Sequence, residues 1–193
     1  MIVVGIDNGL DGGIVAIRDG VVVLKTAMPT LATSTTKRKK VRGKMKSVEV
    51  VGREYDLFQI RKLLKGLINS NERVYVWIER AQAMTKQGVT GMFNYGRSFG
   101  RMEGLCVGLD RPAGLVRPQE WQKVMFAGMK KENTKRMSFK KCQELWPNES
   151  WLATARSKVP HDGMTDAAMI AEYGRRQLLN ERPTSREEDS KKF

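Results

Sequence analysis

MIVVGIDNGLDGGIVAIRDGVVVLKTA, residues 1–27, reads as three strands in succession. Residues 1–7 are a short apolar run rich in β-branched side chains, the pattern of a buried strand. NGLDGG then marks a turn. IVAIR at 14–18 and VVVLKTA at 21–27 flank Asp19-Gly20, and an Asp-Gly pair between two such runs is a strong hairpin signal. The chain therefore opens with a three-strand antiparallel meander.

Further along, apolar residues at helical spacing run through 53–69, and VYVWIE at 74–79 is another buried strand. Residues 88–109 read as a helix, 113–118 as a strand stopped by Pro118, and EWQKVMF and 133–145 as helices. DGMTDAAMIAEYGRRQLL at 162–179 forms a last helix. The order predicts one α/β domain over 1–179, with a mixed five-stranded sheet flanked by helices. Residues 180–193, polar and charged around Pro183, read as a disordered tail.

The 193 residues carry 35 Lys and Arg against 21 Asp and Glu, a formal net charge of +14. Hydrophobic residues make up 40%, too many for a disordered chain. No apolar run approaches the ~18 residues of a membrane span. The N-terminus has no basic start, and its apolar run breaks at Asp7, unlike a secretory signal. Cys106 and Cys142 are too few for a disulfide framework or a Cys-based zinc site. These features predict a cytoplasmic protein, or one in the host's DNA-containing compartment, with a polyanionic partner. Half the net charge lies in KRKKVRGKMK at 37–46, which holds seven basic residues and no acid. Such a run repels itself, and after Pro29 and a Ser/Thr-rich stretch it reads as a mobile loop within 30–47. A second basic cluster, KKENTKRMSFKK at 130–141, reads as a cationic helix face.

Acids mark the sheet. Asp7 ends the first strand, Glu79 ends VYVWIE, and Asp162 and Asp166 share one face of the last helix, just after His161. A lone carboxylate at the end of a buried strand is costly to desolvate, and open α/β sheets place their sites beyond the carboxyl ends of strands. Asp162 on its own also fits a helix cap, Asp7 a turn, and Glu79 a rim ion pair with Arg80. Together the acids suit Mg²⁺ or Mn²⁺, and a pair of such ions supports phosphodiester hydrolysis. His161 fits a general base, a metal ligand or a structural residue.

The ordered set of motifs resembles the RuvC-like Holliday junction resolvases of the ribonuclease H-like superfamily. GIDNGLDGGIVAI resembles their first strand and turn, VYVWIERAQAM the strand ending in a catalytic Glu, and HDGMTDAAMIAEYGRR the last helix. FNYGRSFGRMEGL, RPQEWQKVMF and the Lys-rich segment ending in ELWP look most like the phage and plant organellar branch. The resemblance spans about 1–176. It implies a homodimer that cuts four-way DNA junctions with paired symmetric nicks, using Mg²⁺ or Mn²⁺, two ions per site. Asp7, Glu79 and Asp166 match the metal-binding acids. Many members place the fourth residue three before the final Asp, where this chain has Gly163, so His161 or Asp162 completes the site.

Gly96, Gly100, Gly104 and Gly108 recur every four residues, each costing a helix roughly 1 kcal/mol relative to Ala. The stripe fits packing within the subunit or, as in the resembled family, a dimer interface formed by Gly96, Gly100 and Gly104. Phe93, Tyr95 and Phe99 fit either core or base contacts. Lys86, Phe93, Tyr95 and Arg97 are placed towards the junction centre, and Lys130, Lys131 and Lys135 on phosphates. An actin-like ATPase or sugar kinase shares the Asp-x-Gly opening but needs a far longer chain. A non-catalytic basic DNA-binding protein leaves the acids unexplained. A nuclease acting on RNA–DNA hybrids or other branched DNA shares both fold and site.

Overall fold

The computed structural model describes residues 1–41, 43–69, 72–82 and 88–180. Lys86 and the tail 181–193 lie outside the described residues. Three strands form the meander: β1 (Ile2–Asp7), β2 (Gly13–Arg18) and β3 (Val21–Ala27). Asp19 and Gly20 connect β2 and β3 with φ of 48° and 91°, the left-handed pair that a tight hairpin turn requires. After α1 (Leu57–Ile68), β6 (Val74–Glu79) adds parallel to β1; after α2 (Val89–Val107), β7 (Gly114–Val116) adds parallel to β6. The sheet order is β3-β2-β1-β6-β7. Helices α3 (Pro118–Met125), α4 (Thr134–Leu145) and α5 (Asp162–Asn180) complete the chain. The predicted mixed five-stranded sheet and its opening meander are both present.

One expectation is overturned. Residues 30–47 are not a loop. Thr30–Val41 and Lys44–Tyr55 are strands β4 and β5, paired antiparallel over their whole length as a separate two-stranded ribbon. The Thr- and Val-rich stretches beneath the charges favour extended backbone, and the ladder forms despite the charge. The second basic cluster is also only partly helical, because α4 begins at Thr134 and leaves Lys130 and Lys131 in the preceding turn.

Strand alternation sorts the core into two layers. Ile2, Val4, Ile6, Val74, Val76 and Ile78 face α1 and α2. Val15, Ile17 and Trp77 face α3, α4 and α5. Asp7 and Glu79 share the parity of this second face, so they emerge on the side of α5.

Helix α5 lies on the sheet with backbone against backbone. A methyl group added at Gly5 would sit 2.1 Å from the Ala167 carbonyl oxygen, and one at Gly163 would sit 2.4 Å from that of Asp11. Gly12 and Gly163 also form an isolated β-bridge. By contrast, a methyl at Gly96, Gly100 or Gly104 on α2 meets nothing within 4 Å. Among the described residues that stripe has no packing partner, and Gly108 caps α2 instead of extending it.

The two sets of glycines should respond oppositely to alanine. Gly5→Ala should lose stability at or beyond the ~1–3 kcal/mol typical of overpacking. Gly100→Ala in dilute protein should be neutral or gain up to about 1 kcal/mol from helix propensity. Urea unfolding of both variants reads the difference directly.

Candidate active site

β1 and β6 run parallel with Ile6 beside Ile78. Their next residues, Asp7 and Glu79, therefore leave the sheet side by side at its carboxyl end. The close seat of α5 brings Asp166 to the same point, and Asp162 lies one turn earlier on the helix. Asp7, Asp162, Asp166, His161 and Lys135 all line one open cleft of ≈ 470 Å³ together with the turn 9–12. Asp7, Asp162 and Asp166 share this cleft; Glu79 is not in its lining and meets Asp7 and Asp166 through their charges.

Their electrostatics show crowding. Burial pushes Asp7 well above the usual carboxylate range, and the charges of Glu79, Asp166 and Asp162 add to it. Burial raises Glu79, the indole of Trp121 pulls it back, and Asp166 pushes it up again. Asp166 is pushed up to about 6, mainly by burial, with the Ser138 hydroxyl acting in the opposite direction.

Three of the acids have separate donors. Trp121 Nε1 donates to Glu79 at 2.8 Å. The buried Ser138 hydroxyl donates to Asp166. Lys135 Nζ sits 2.6 Å from Asp162. Among the described residues, no three His, Cys, Asp or Glu side chains converge into a ligand set as they stand. The donors fit a hard divalent cation by chemistry: all are carboxylates, and burial and repulsion raise three of them.

His161 lines the cleft, and its Nδ1 accepts the Met164 N–H at 3.3 Å at the start of α5. Lys135 reaches into the site, while Lys130 and Lys131 are exposed outside it. The aromatic residues diverge. Phe99 packs against the core, Phe93 is 68% exposed, and Tyr95 is half-buried with its hydroxyl pushed up to about 12 by burial and by Glu79 and Asp7. Arg97 sits 3.8 Å from Glu54 at the rim.

Sequence reading missed four supporting residues. Trp121 and Ser138 orient two of the acids. Asn8 and Tyr55 form a buried pair beside Asp7, in which the Tyr55 hydroxyl donates to Asn8 Oδ1 at 3.0 Å. Among the described residues Asn8 Nδ2 has no partner at full hydrogen-bond geometry, and its side chain faces the Tyr95 hydroxyl, whose proton it helps release. All four act across 28 to 47 residues of chain, a separation that no local pattern records. The sole sequence signal was composition: a Trp and a Ser on helices otherwise read by their apolar or basic residues.

No family model matches the sequence, and no curated protein matches it. Solved structures do. The chain matches Thermus thermophilus RuvC at 13% identity with a TM-score of 0.51, covering 92% of this chain and 97% of that one. It also matches T. thermophilus RuvC in complex with Holliday junction substrate at 12% identity, a TM-score of 0.48, and 92% and 96% coverage. The fold is of the ribonuclease H-like class. Its arrangement of sheet and helices is similar to that of RuvC. No helix among the described residues is long and apolar enough to cross a membrane.

Raised acids make the metal-free protein less stable as pH rises. The unfolded chain releases these protons near pH 4, whereas the folded state holds that of Asp166 to about 6 and holds that of Asp7 well above the usual carboxylate range. Stability therefore falls across that window and stays low at neutral pH. Asp7→Asn should raise the Tm of metal-free protein at pH 7.5 by at least the ~2–4 °C that 1 kcal/mol brings at this size. The gain should vanish near pH 3.5, where Asp7 is protonated in both states.

Proposed function

We propose that the protein is a divalent-metal-dependent endonuclease that resolves four-way DNA junctions by paired, symmetric nicks. The observation that carries this reading is the meeting of Asp7, Glu79 and Asp166 at the carboxyl end of a RuvC-type sheet, in a protein of net charge +14. Asp7, Glu79, Asp162 and Asp166 would hold Mg²⁺ or Mn²⁺, two ions per site. When bound, such ions stabilise the attacking and leaving oxygens of a phosphodiester displacement.

The chain's own residues prepare that chemistry. Trp121 and Ser138 fix two carboxylates, so the acids are positioned before any ligand arrives. Lys135 offsets part of the acidic charge at Asp162 and lies where it can hold a phosphate. His161 or Asp162 completes the set as general base. Lys130, Lys131, Lys86, Phe93, Tyr95 and Arg97 are assigned to DNA. The motif likeness to the phage and plant organellar branch favours the junction over other branched or hybrid substrates.

A homodimer is part of the proposal. The open face of α2 aligns Gly96, Gly100 and Gly104 with the exposed apolar residues Val89 and Val107. A helix face with no side chains and solvent-exposed apolar neighbours suits close approach by a second copy. Light scattering at micromolar concentration should give twice the monomer mass, and a monomer would refute this part.

The central test is cleavage of a labelled four-way DNA junction in Mg²⁺, with linear duplex and RNA–DNA hybrid as controls. Symmetric nicks lost in EDTA and reduced at least about 100-fold in Asp7→Asn support the proposal; that loss exceeds the 10–100-fold typical of outer-shell changes. Trp121→Phe and Ser138→Ala should fall within that 10–100-fold band. The apparent Mg²⁺ affinity should strengthen as pH rises through about 6, where Asp166 gives up its proton in the metal-free protein. Cutting of the hybrid alone would keep the fold and replace the function.

A further inference from the structure

The β4–β5 ribbon touches the site through Tyr55 at its root, and its outer part has no role there. It is anchored at its root beside the acids. Arg53 Nη2 pairs with Asp11 at 2.7 Å, and Arg101 Nη1 donates to Glu54 at 3.1 Å. Its root also forms one wall of a groove of ≈ 730 Å³, through Thr33, Val50 and Gly52, opposite Tyr95 on α2. Gly9 and Leu10 line both this groove and the acid cleft. From that root the ladder continues without a break to Val41 opposite Lys44. Nine residues from Arg53 to Lys44 span about 30 Å at ~3.3 Å each.

Charge accumulates outward along it. Six basic residues, Lys37, Arg38, Lys39, Lys40, Lys44 and Lys46, lie in the outer part of the ladder. Arg38, Lys44 and Lys46 are exposed, and alternation puts Lys44 and Lys46 on the face that forms the groove wall nearer the root. Arg38 on β4 and Lys44 and Lys46 on β5 put like charges on both strands of the tip, and a run of like charge repels itself. Keeping an exposed ribbon soluble explains some charge, but mixed signs would serve that purpose without self-repulsion. A polyanion relieves the repulsion.

We propose that the ribbon is a duplex-binding arm that lies in the major groove of B-form DNA, about one helical turn from the acids. The proposal builds on the nuclease reading for its placement. Three observations support it. A two-stranded ribbon fits the ~12 Å major groove of B-DNA, whereas the major groove of A-form RNA is too deep and narrow. The ~30 Å reach approaches the ~34–36 Å of one duplex turn. The like-signed tip matches phosphates on both flanks of the groove.

The test uses the full chain and the variant R38Q/K44Q/K46Q, with R38K/K44R/K46R as the charge-preserving control. Binding is measured by fluorescence anisotropy on linear DNA duplexes and junction arms of about 6 and about 20 base pairs, shorter and longer than one turn. Thermal melting accompanies both variants, and the Gln variant should melt no lower than wild type because repulsion is removed. Wild type should prefer the long duplexes. The Gln variant should lose that preference, and its log–log salt slope should shrink by about 2–3, near 0.9 per lost phosphate contact. The charge-preserving variant should keep both. Hydroxyl-radical protection should shorten by about one turn in the Gln variant. Unchanged length preference and slope would overturn the arm, as would equal dependence on these residues for duplex RNA. These readouts need no cleavage. Ribbon-dependent binding without nicking would uphold the arm and reject the nuclease, nicking without ribbon dependence would do the reverse, and failure to bind any duplex would reject both.

Discussion

Everything at the candidate site depends on how closely α5 approaches the sheet. Gly5 and Gly163 let helix backbone meet strand and turn backbone, with no room for a Cβ on either side. Ala167 and Ala171 continue the same seat under the helix. An ordinary helix packs on a sheet through a layer of side chains, at roughly 10 Å. Removing that layer moves Asp166 inward until it shares burial and charge with Asp7. A larger residue at either glycine would therefore alter the chemistry before it altered the topology.

That closeness creates an electrostatic problem that the fold leaves partly unsolved. Three carboxyls are raised above their usual range, and the protein neutralises none of them fully. Two donors, Trp121 and Ser138, are neutral, so they orient carboxylates without cancelling charge. Lys135 is the cation at the site, and it is tied to the outermost acid, Asp162. Burial makes the residual repulsion strong, because screening by water and salt is weakest there. The result is an environment that favours an incoming divalent cation over its own ionised, metal-free state.

Some of this was legible in the sequence, and the division has physical reasons. The strands of the meander, β6 and α5 were readable because β-branched runs and helical periodicity are local signals. So were Asp7 and Glu79, because an acid ending an apolar strand violates the local pattern. The ribbon was not. Charge density in 37–46 suggested a loop, while the flanking Thr- and Val-rich segments that pair over 12 residues carry their signal across the turn. The glycines misled in an instructive way. The regular four-residue stripe on α2 faces open space, whereas the close contact uses an irregular set, Gly5, Gly163, Ala167 and Ala171, drawn from two distant segments. Spacing shows which residues share a helix face; it does not show what that face meets. Trp121, Ser138, Asn8 and Tyr55 were invisible for the same reason, since their partners lie far along the chain.

The arrangement of charge also follows from the site. A cluster of carboxylates meant for a metal must not be filled by the protein's own cations, so lysines cannot crowd it. A polyanionic partner nevertheless has to be brought to an acidic cleft that repels it. The structure separates the two tasks by distance. Acids sit on β1, β6 and α5, while the densest positive charge lies on the outer ribbon, roughly 17–30 Å from its root by strand rise, two or three Debye lengths of ~8–10 Å. At that range the ribbon's lysines barely shift the acids' ionisation, yet they remain within one turn of any duplex lying across the cleft. Under the proposed function, attraction at the periphery and repulsion at the centre would act on different phosphates of one substrate. Only the phosphate at the centre would need a metal to stay there.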